Sequence, residues 1–284
     1  MASNPFDFAP SLKRYAVMGN PVTHSKSPQI HQQFACQCAL KLEYGKIQVD
    51  PGGFEQAVDH FFAVGGDGLN ITVPYKLEAF RLSDELSARA AAAGAVNTLK
   101  LLKDKRVFGD NTDGAGLITD ITQNWRLTLA GKKILILGAG GAVRGIVAPL
   151  AALQPTLLLI ANRTADKARE LAALFSGDER VRASGLDFTA RDFDLVINGT
   201  AASLEGAVPA LPTTNLFSRH ALAYDLMYAN EPTAFMRWAQ AHGAAKVTDG
   251  LGMLVEQAAE SFFIWHGQHP QTAPVIAALR HPPR

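Results

Sequence analysis

The chain has 284 residues, with 27 Lys plus Arg against 26 Asp plus Glu and a formal net charge of +1. That balance excludes the basic footprint of a nucleic-acid binder, and no apolar run approaches the roughly 20 residues of a membrane span. Two cysteines, Cys36 and Cys38, are too few for a disulfide framework, and no metal-ligand spacing surrounds them. With no signal-peptide core in residues 1–14, a cytoplasmic protein with reduced thiols is expected, and no metal. The length predicts two domains.

In chain order, Tyr15-Ala16-Val17-Met18-Gly19 reads as a strand. A turn follows through His24-Ser25-Lys26-Ser27-Pro28, then a helix over 29–40 with Ser27 as N-cap and Pro28 at N1. In that role Ser25 and Ser27 are cap and turn hydroxyls; alternatively, two hydroxyls beside a helix N-terminus suit a carboxylate ligand. A strand over 42–49 and a helix over 54–64 continue a β-α-β-α rhythm. Gly68-Leu69-Asn70-Ile71-Thr72-Val73-Pro74 is a strand running into a tight turn, where Asn70 and Thr72 can satisfy backbone groups, as Asn97 can further on. The predicted helix over 75–82 puts Lys76 in its first turn, where the helix dipole opposes a cation. The amine there is either turned to water or retained for proton transfer.

Short strands over 94–101 and 106–108 flank the polar turn Lys103-Asp104-Lys105. Gly109-Asp110-Asn111-Thr112-Asp113-Gly114 leads into a helix bearing Leu117, Ile118, Ile121 and Trp125. Asp113 is either its N-cap or a carboxylate partner for Lys76. The lobe boundary is placed here.

Lys132 to Arg163 then reads strand, glycine turn, helix, strand, the first half of a dinucleotide-binding unit. The turn is Gly138-Ala139-Gly140-Gly141-Ala142, whose glycines let backbone N–H groups approach a pyrophosphate at a helix N-terminus. The third glycine of the G-x-G-x-x-G pattern falls on Val143, so Ala142 and Gly145 are expected to supply the close helix–strand packing. The second strand lacks the acid that would hold a ribose 2′-hydroxyl. Asn162, Arg163 and Thr164 stand there, with Lys167 one turn on. A guanidinium suits a 2′-phosphate, which predicts NADP rather than NAD; otherwise Arg163 is a solvated surface residue. Further strands over 193–197, 221–225 and 244–247 end in Asn198-Gly199-Thr200, Leu226-Met227-Tyr228 and Thr248-Asp249-Gly250. A closing helix from Leu251 has a stripe at Leu254, Val255, Ala258, Phe262 and Trp265, with Gly250, Met253 and Gln257 along one edge. Nearly every polar cluster falls at the carboxyl end of a strand, where open α/β sheets bind ligands. The predicted fold is α/β and two-lobed: residues 1–113 plus 251–284 as an N-terminal α/β substrate domain to which the C-terminal helices return, and residues 114–250 as a Rossmann-like NADP domain.

These clusters, in this order, resemble the shikimate dehydrogenase family. The matching motifs are Gly19-Asn20-Pro21…His24-Ser25-Lys26-Ser27-Pro28, Asn70-Ile71-Thr72-Val73-Pro74-Tyr75-Lys76, Gly94-Ala95-Val96-Asn97-Thr98 and Gly109-Asp110-Asn111-Thr112-Asp113-Gly114. The glycine turn, Asn162-Arg163-Thr164, Asp225-Leu226-Met227-Tyr228 and Asp249-Gly250-Leu251-Gly252-Met253-Leu254…Gln257 complete them. The resemblance implies reversible NADPH-dependent reduction of 3-dehydroshikimate to shikimate, in aromatic amino acid (chorismate) biosynthesis; a monomer and a homodimer are both compatible with the sequence. It implies that Lys76 and Asp113 are the catalytic pair and that Ser25 and Ser27 hold the substrate carboxylate. Thr72, Asn97 and Gln257 would bind hydroxyls, with Tyr228 reaching in from the nucleotide lobe. Gly138 to Ala142 would hold the pyrophosphate, Asn162, Arg163, Thr164 and Lys167 the 2′-phosphate, and Thr200, Met227 and Gly250 would lie near the nicotinamide. One departure falls after Thr200, at Ala201-Ala202-Ser203, where the family usually carries a glycine. Two alternatives remain: a quinate/shikimate dehydrogenase, and a ligand-sensing protein on the same scaffold, which would have little reason to keep both Lys76 and Asp113.

Overall fold

The computed structural model describes residues 12–280 apart from 201, 203–205 and 213. It contains two six-stranded sheets. In the first, β1 (Lys13–Gly19) lies between the parallel strands β2 (Leu42–Gln48) and β3 (Gly68–Ile71). The two-residue β4 (Glu85–Leu86) sits at the far edge; β5 (Thr98–Leu101) and β6 (Val107–Asp110) form an antiparallel hairpin that joins it to β3. Helices α1 (Ser27–Gln37), α2 (Phe54–Ala63), α3 (Lys76–Leu82) and α4 (Ala88–Ala93) connect these strands. The order is β2-β1-β3-β5-β6-β4.

After α5 (Asp113–Thr119) and a π-helical turn (Asp120–Asn124) comes the second sheet. It comprises β7 (Lys133–Leu137), β8 (Leu157–Ala161), β9 (Val181–Ser184), β10 (Phe193–Asn198), β11 (Phe217–Asp225) and β12 (Lys246–Thr248). All are parallel, ordered β12-β11-β10-β7-β8-β9, with α6 (Gly141–Ala152), α7 (Ala165–Ala173) and α8 (Ala234–Ala241) among the connections. Strands β7, β8 and β10 are buried on both faces, so their sequences are continuous apolar runs. The strand order reverses between β7 and β10, the switch point at which a crevice opens beyond the strand ends. Helix α9 (Leu251–His266) then returns to the first sheet. Its Val255, Ala258, Phe262 and Trp265 pack with Tyr15, Ile30 and Phe34, and α10 (Ala273–Arg280) adds Val275 and Leu279.

Helix α5 joins the halves by close backbone approach. A Cβ on Gly114 would stand 2.4 Å from Pro149 Cγ of α6, and one on Gly116 would stand 2.6 Å from Gln257 Cβ of α9. Three local expectations are corrected. Lys26, not Ser27, is the N-cap of α1, and the Ser27 N–H is taken by Ser25 Oγ at 3.2 Å. The strand predicted over 94–101 starts only at Thr98, because Gly94 (φ 59°) closes α4 in the left-handed region, a helix begun by the Ser87 cap. Gly145 does not ease helix–strand packing; a Cβ there would meet Asn111 Oδ1 at 2.8 Å. The room beside Val143 comes from Gly199, whose added Cβ would lie 2.4 Å from Val143 Cγ2.

Beneath α9, His31 is fully buried and stacked on Tyr44, with ring centroids 4.3 Å apart. Burial, reinforced by nearby His266 and only partly offset by Asn70, lowers its pKa to about 3; burial lowers that of His266 to about 4. Above pH 6.5 the imidazoles are neutral in folded and unfolded chains alike and add no pH dependence. As pH falls from 6.5 toward 4, the unfolded chain binds protons that the folded chain refuses, so stability drops by about 1.4 kcal/mol per pH unit for each proton. His31→Phe, which keeps the aromatic stack, is expected to flatten the acid limb of the urea midpoint between pH 6.5 and 4. An unaltered slope would place the acid sensitivity elsewhere.

Candidate active site

At the carboxyl end of β3 the chain turns at Thr72 and enters α3, whose first residue is Lys76. The turn lies tightly over β1: a Cβ on Gly19 would stand 2.3 Å from Thr72 Cγ2. The amine is not in water. Lys76 Nζ donates to Asp113 Oδ2 at 2.6 Å, and the two side chains are only 15% and 7% exposed. Asp113 is the first residue of α5 but makes no cap, so its carboxylate is available to the lysine.

The other carboxylate oxygen, Oδ1, accepts from Asn97 Nδ2 at 2.8 Å. Thr112 N–H and Thr98 Oγ1 both donate to Asn97 Oδ1 at 2.9 Å, which sets the amide with its nitrogen toward the acid. That nitrogen also reaches Thr112 Oγ1 at 2.9 Å and Gln257 Oε1 at 3.3 Å. Gln257 Nε2 is tied back to Leu254 O at 2.9 Å. Behind this group Asn70 donates to Ser261 Oγ at 2.9 Å and Thr98 Oγ1 at 3.2 Å, and accepts from the Tyr44 hydroxyl at 2.7 Å. Thr98 and Thr112 stand inside the quoted motifs without an assigned role, and Ser261 escapes the sequence reading. Ser261 had a usable signal, since it follows Gln257 by four residues on the same face of α9.

A second polar group lies beside the first. Ser25 Oγ donates to Ser27 Oγ at 3.1 Å. Tyr228, from beyond β11, packs on the core of the first sheet. Burial raises its pKa, so the hydroxyl stays protonated at neutral pH. Among the predicted substrate residues the structure therefore joins Lys76, Asp113, Asn97 and Gln257 in one cluster and Ser25 with Ser27 in a second, while Tyr228 packs on the core of the first sheet.

The remaining predicted residues lie at the carboxyl ends of the second sheet. Gly138 (φ 105°) turns the chain out of β7, its N–H donating to Ala161 O at 2.8 Å, and Gly140 is the N-cap of α6. A Cβ added at Gly140 or Gly141 meets nothing within 4 Å, so open space lies before this helix N-terminus, flanked by half-buried Ala139 and Ala142. That suits a pyrophosphate. After β8, Asn162 Nδ2 donates to Thr164 O at 2.9 Å, shaping a turn on which Arg163, Thr164 and Lys167 are exposed. Among the described residues neither Arg163 nor Lys167 has an ion-pair partner, so both cations are available to a phosphate. Thr200 Oγ1 donates to Asn198 Oδ1 at 2.8 Å. Gly250 N–H donates to Met227 O at 3.0 Å, and a Cβ on Gly250 would lie 2.4 Å from Leu226 O. The end of the loop after Thr200 falls largely outside the described residues.

Comparisons with known proteins bear directly on this arrangement. The family model described as shikimate dehydrogenase substrate binding domain matches residues 17–99, that for shikimate / quinate 5-dehydrogenase residues 120–206, and that for the shikimate 5'-dehydrogenase C-terminal domain residues 250–280. Shikimate dehydrogenase (NADP(+)) of Alkalilimnicola ehrlichii is 54% identical over 267 residues, 94% of this chain and 98% of its own. The chain belongs to the shikimate dehydrogenase family. Among solved structures of the family, shikimate 5-dehydrogenase from Thermus thermophilus in complex with NADP(H) and shikimate is similar at TM-score 0.84 and 34% identity, covering 95% of this chain and 99% of that one. An Ael1 enzyme from Pseudomonas putida gives TM-score 0.88 at 44% identity, with 95% and 99% covered. The two-lobed α/β fold, NADP use and oxidoreductase class expected from the sequence are those of the family.

Proposed function

We propose that this protein is an NADP-dependent shikimate dehydrogenase that interconverts 3-dehydroshikimate and shikimate in the cytoplasm, on the route to chorismate and the aromatic amino acids. The observation that carries the reading is the buried Lys76–Asp113 pair, 2.6 Å apart and completed by Asn97 and Gln257. Such a pair has the chemistry to move a proton at one hydroxyl or carbonyl oxygen. Residues 1–113 with 251–284 form the substrate domain in this reading, and residues 114–250 the NADP domain.

NADPH, when bound, supplies the hydride. Gly138, Ala139, Gly140, Gly141 and Ala142 hold its pyrophosphate, with Asn162, Arg163, Thr164 and Lys167 around the 2′-phosphate. Thr200, Met227 and Gly250 border the nicotinamide. In the substrate domain, Ser25 and Ser27 take the carboxylate. Thr72, Asn97 and Gln257 take hydroxyls, and Tyr228 closes the site from the nucleotide side. Lys76 gives its proton to the C3 oxygen as the carbonyl is reduced and takes it back in the reverse direction. Asp113 orients the amine and accepts from the C3 hydroxyl of the alcohol. The fixed arrangement removes the orientational cost of bringing donor and acceptor together.

The decisive assay follows NADPH at 340 nm with shikimate, and in parallel with quinate and with NAD. Turnover of shikimate with NADP well above the other combinations is expected; a quinate rate equal to the shikimate rate would make the protein a dual-substrate enzyme. The coenzyme arm has its own variant. Hydrogen bonds to charged groups contribute about 1.5–3 kcal/mol, so Arg163→Ala should lower kcat/KM for NADP by about 10–100-fold and leave that for NAD nearly unchanged. An unaltered NADP/NAD ratio would remove Arg163 from phosphate recognition.

A further inference from the structure

The ends of β10 and β11 hold a buried polar unit that takes no part in the proposed proton transfer. Asn198 and Asp225 are opposite each other in the strand register, and both are fully buried. Asp225 Oδ1 accepts from Asn198 Nδ2 at 3.1 Å and from the Met227 backbone N–H at 3.1 Å. Its Oδ2 accepts from Thr233 Oγ1 at 2.6 Å, and Thr233 in turn caps α8 by accepting the Met236 N–H. Asn198 Oδ1 accepts from both the N–H and the hydroxyl of Thr200, at 3.2 and 2.8 Å. Met227 O then receives the Gly250 N–H at 3.0 Å. Three separate segments, carrying Thr200, Met227 and Gly250, are thus tied to one carboxylate directly or through a single intermediary.

We propose that Asp225 is a positioning residue for the nicotinamide half of the coenzyme, setting the loops after β10 and β11 without touching the ligand. The inference rests on the reading that Thr200, Met227 and Gly250 border the nicotinamide. A carboxylate is suited to the task because it can accept from several donors at once, whereas a neutral residue of similar size offers fewer acceptor sites. The other end of the coenzyme is served by different elements, since the glycine turn belongs to β7 and α6 and Arg163 to the end of β8, and none of the hydrogen bonds named above reaches them.

The test compares NADPH with 2′-phospho-ADP-ribose, which keeps the adenosine phosphate and pyrophosphate and lacks the nicotinamide. Asp225→Ala should lower kcat/KM for NADPH by about 10–100-fold, as expected for a reacting group misplaced by about 1 Å. It should also reduce the change in NADPH fluorescence on binding, while the Kd for 2′-phospho-ADP-ribose stays within about twofold. Asp225→Asn retains an acceptor for the Met227 N–H and should recover most of the loss. Equal weakening of both ligands, or an unchanged fluorescence response in Asp225→Ala, overturns the proposal. Met227→Ala separates the two levels of the argument. If it alters the fluorescence response while Asp225→Ala does not, only the role of Asp225 fails; if neither variant alters it, the nicotinamide assignment fails with it. Should Asp225→Ala not fold, Thr233→Val removes one donor to the carboxylate and should produce the same ligand-selective pattern at about threefold. Its absence there also overturns the proposal.

Discussion

Replacing Lys76 by Ala is expected to lower kcat by about 10²–10⁴-fold, the usual contribution of general acid–base catalysis, with KM for shikimate changing far less. The amine is held in the first turn of α3, against the helix dipole, by a carboxylate from a different element at 2.6 Å. A lysine serving only as a surface charge would point outward, yet this one is 15% exposed and its partner 7%. In the proposed mechanism the proton moves during bond making at C3, so the loss should appear in kcat and kcat/KM together, the signature of an interaction made in the transition state. Lys76→Arg keeps the charge and the ion pair but cannot release a proton near neutral pH, so it should be nearly as inactive. Steady-state rates with shikimate and NADP check both variants. A kcat within threefold of the parent in Lys76→Ala would end the catalytic assignment.

The largest effect on stability is expected from Arg89→Met, at about 3 kcal/mol, the lower end of the cost of stranding one member of a buried ion pair. Arg89 grips Asp110 with two parallel bonds, Nε to Oδ1 and Nη2 to Oδ2, each 2.8 Å, and extends Nη1 to Glu260 of α9 at 3.1 Å. Asp110 is 4% exposed and also receives the Ser87 hydroxyl and the Asn111 N–H. Removing the guanidinium leaves the carboxylate in place with its countercharge gone; the 31% exposure of the arginine side chain keeps the expected cost from being higher. The urea midpoint should fall with the m-value unchanged. Arg89→Met combined with Asp110→Asn should recover part of the loss, because the stranded charge is then absent. Equal midpoints for the single and double variants would show that packing, not charge, dominates.

The second sheet was largely legible because β7, β8 and β10 are buried on both faces and so betray themselves as unbroken apolar runs. Strand β9, Val181-Arg182-Ala183-Ser184, sits at a sheet edge with one buried residue and carries no such run. The two residues of β4 are too few for any periodicity, and α7, α8 and α10 have no motif to announce them. At the site, motif spacing isolated Lys76 and Asp113 individually, but their contact spans 37 positions and depends on where α5 is set against the first sheet. No local pattern carries that information. Ser27 illustrates the reverse error: the Ser-Pro signature marks a helix start correctly, while the hydroxyl that receives the backbone N–H belongs to Ser25.

An amide nitrogen has two hydrogens to give, and that of Asn97 faces three claimants: Thr112 Oγ1, Asp113 Oδ1 and Gln257 Oε1. The glutamine is the most distant at 3.3 Å, so it is the one left underserved. The Thr112 hydroxyl also reaches Gln257 Oε1, at 3.2 Å, but its single hydrogen is divided with the nearer Asn97 Oδ1 at 3.1 Å. The glutamine carbonyl consequently keeps capacity for one more donor, which is the capacity the proposed function asks of it toward a substrate hydroxyl. If the proposed function holds, the arithmetic of hydrogens has set aside a place for that alcohol in advance.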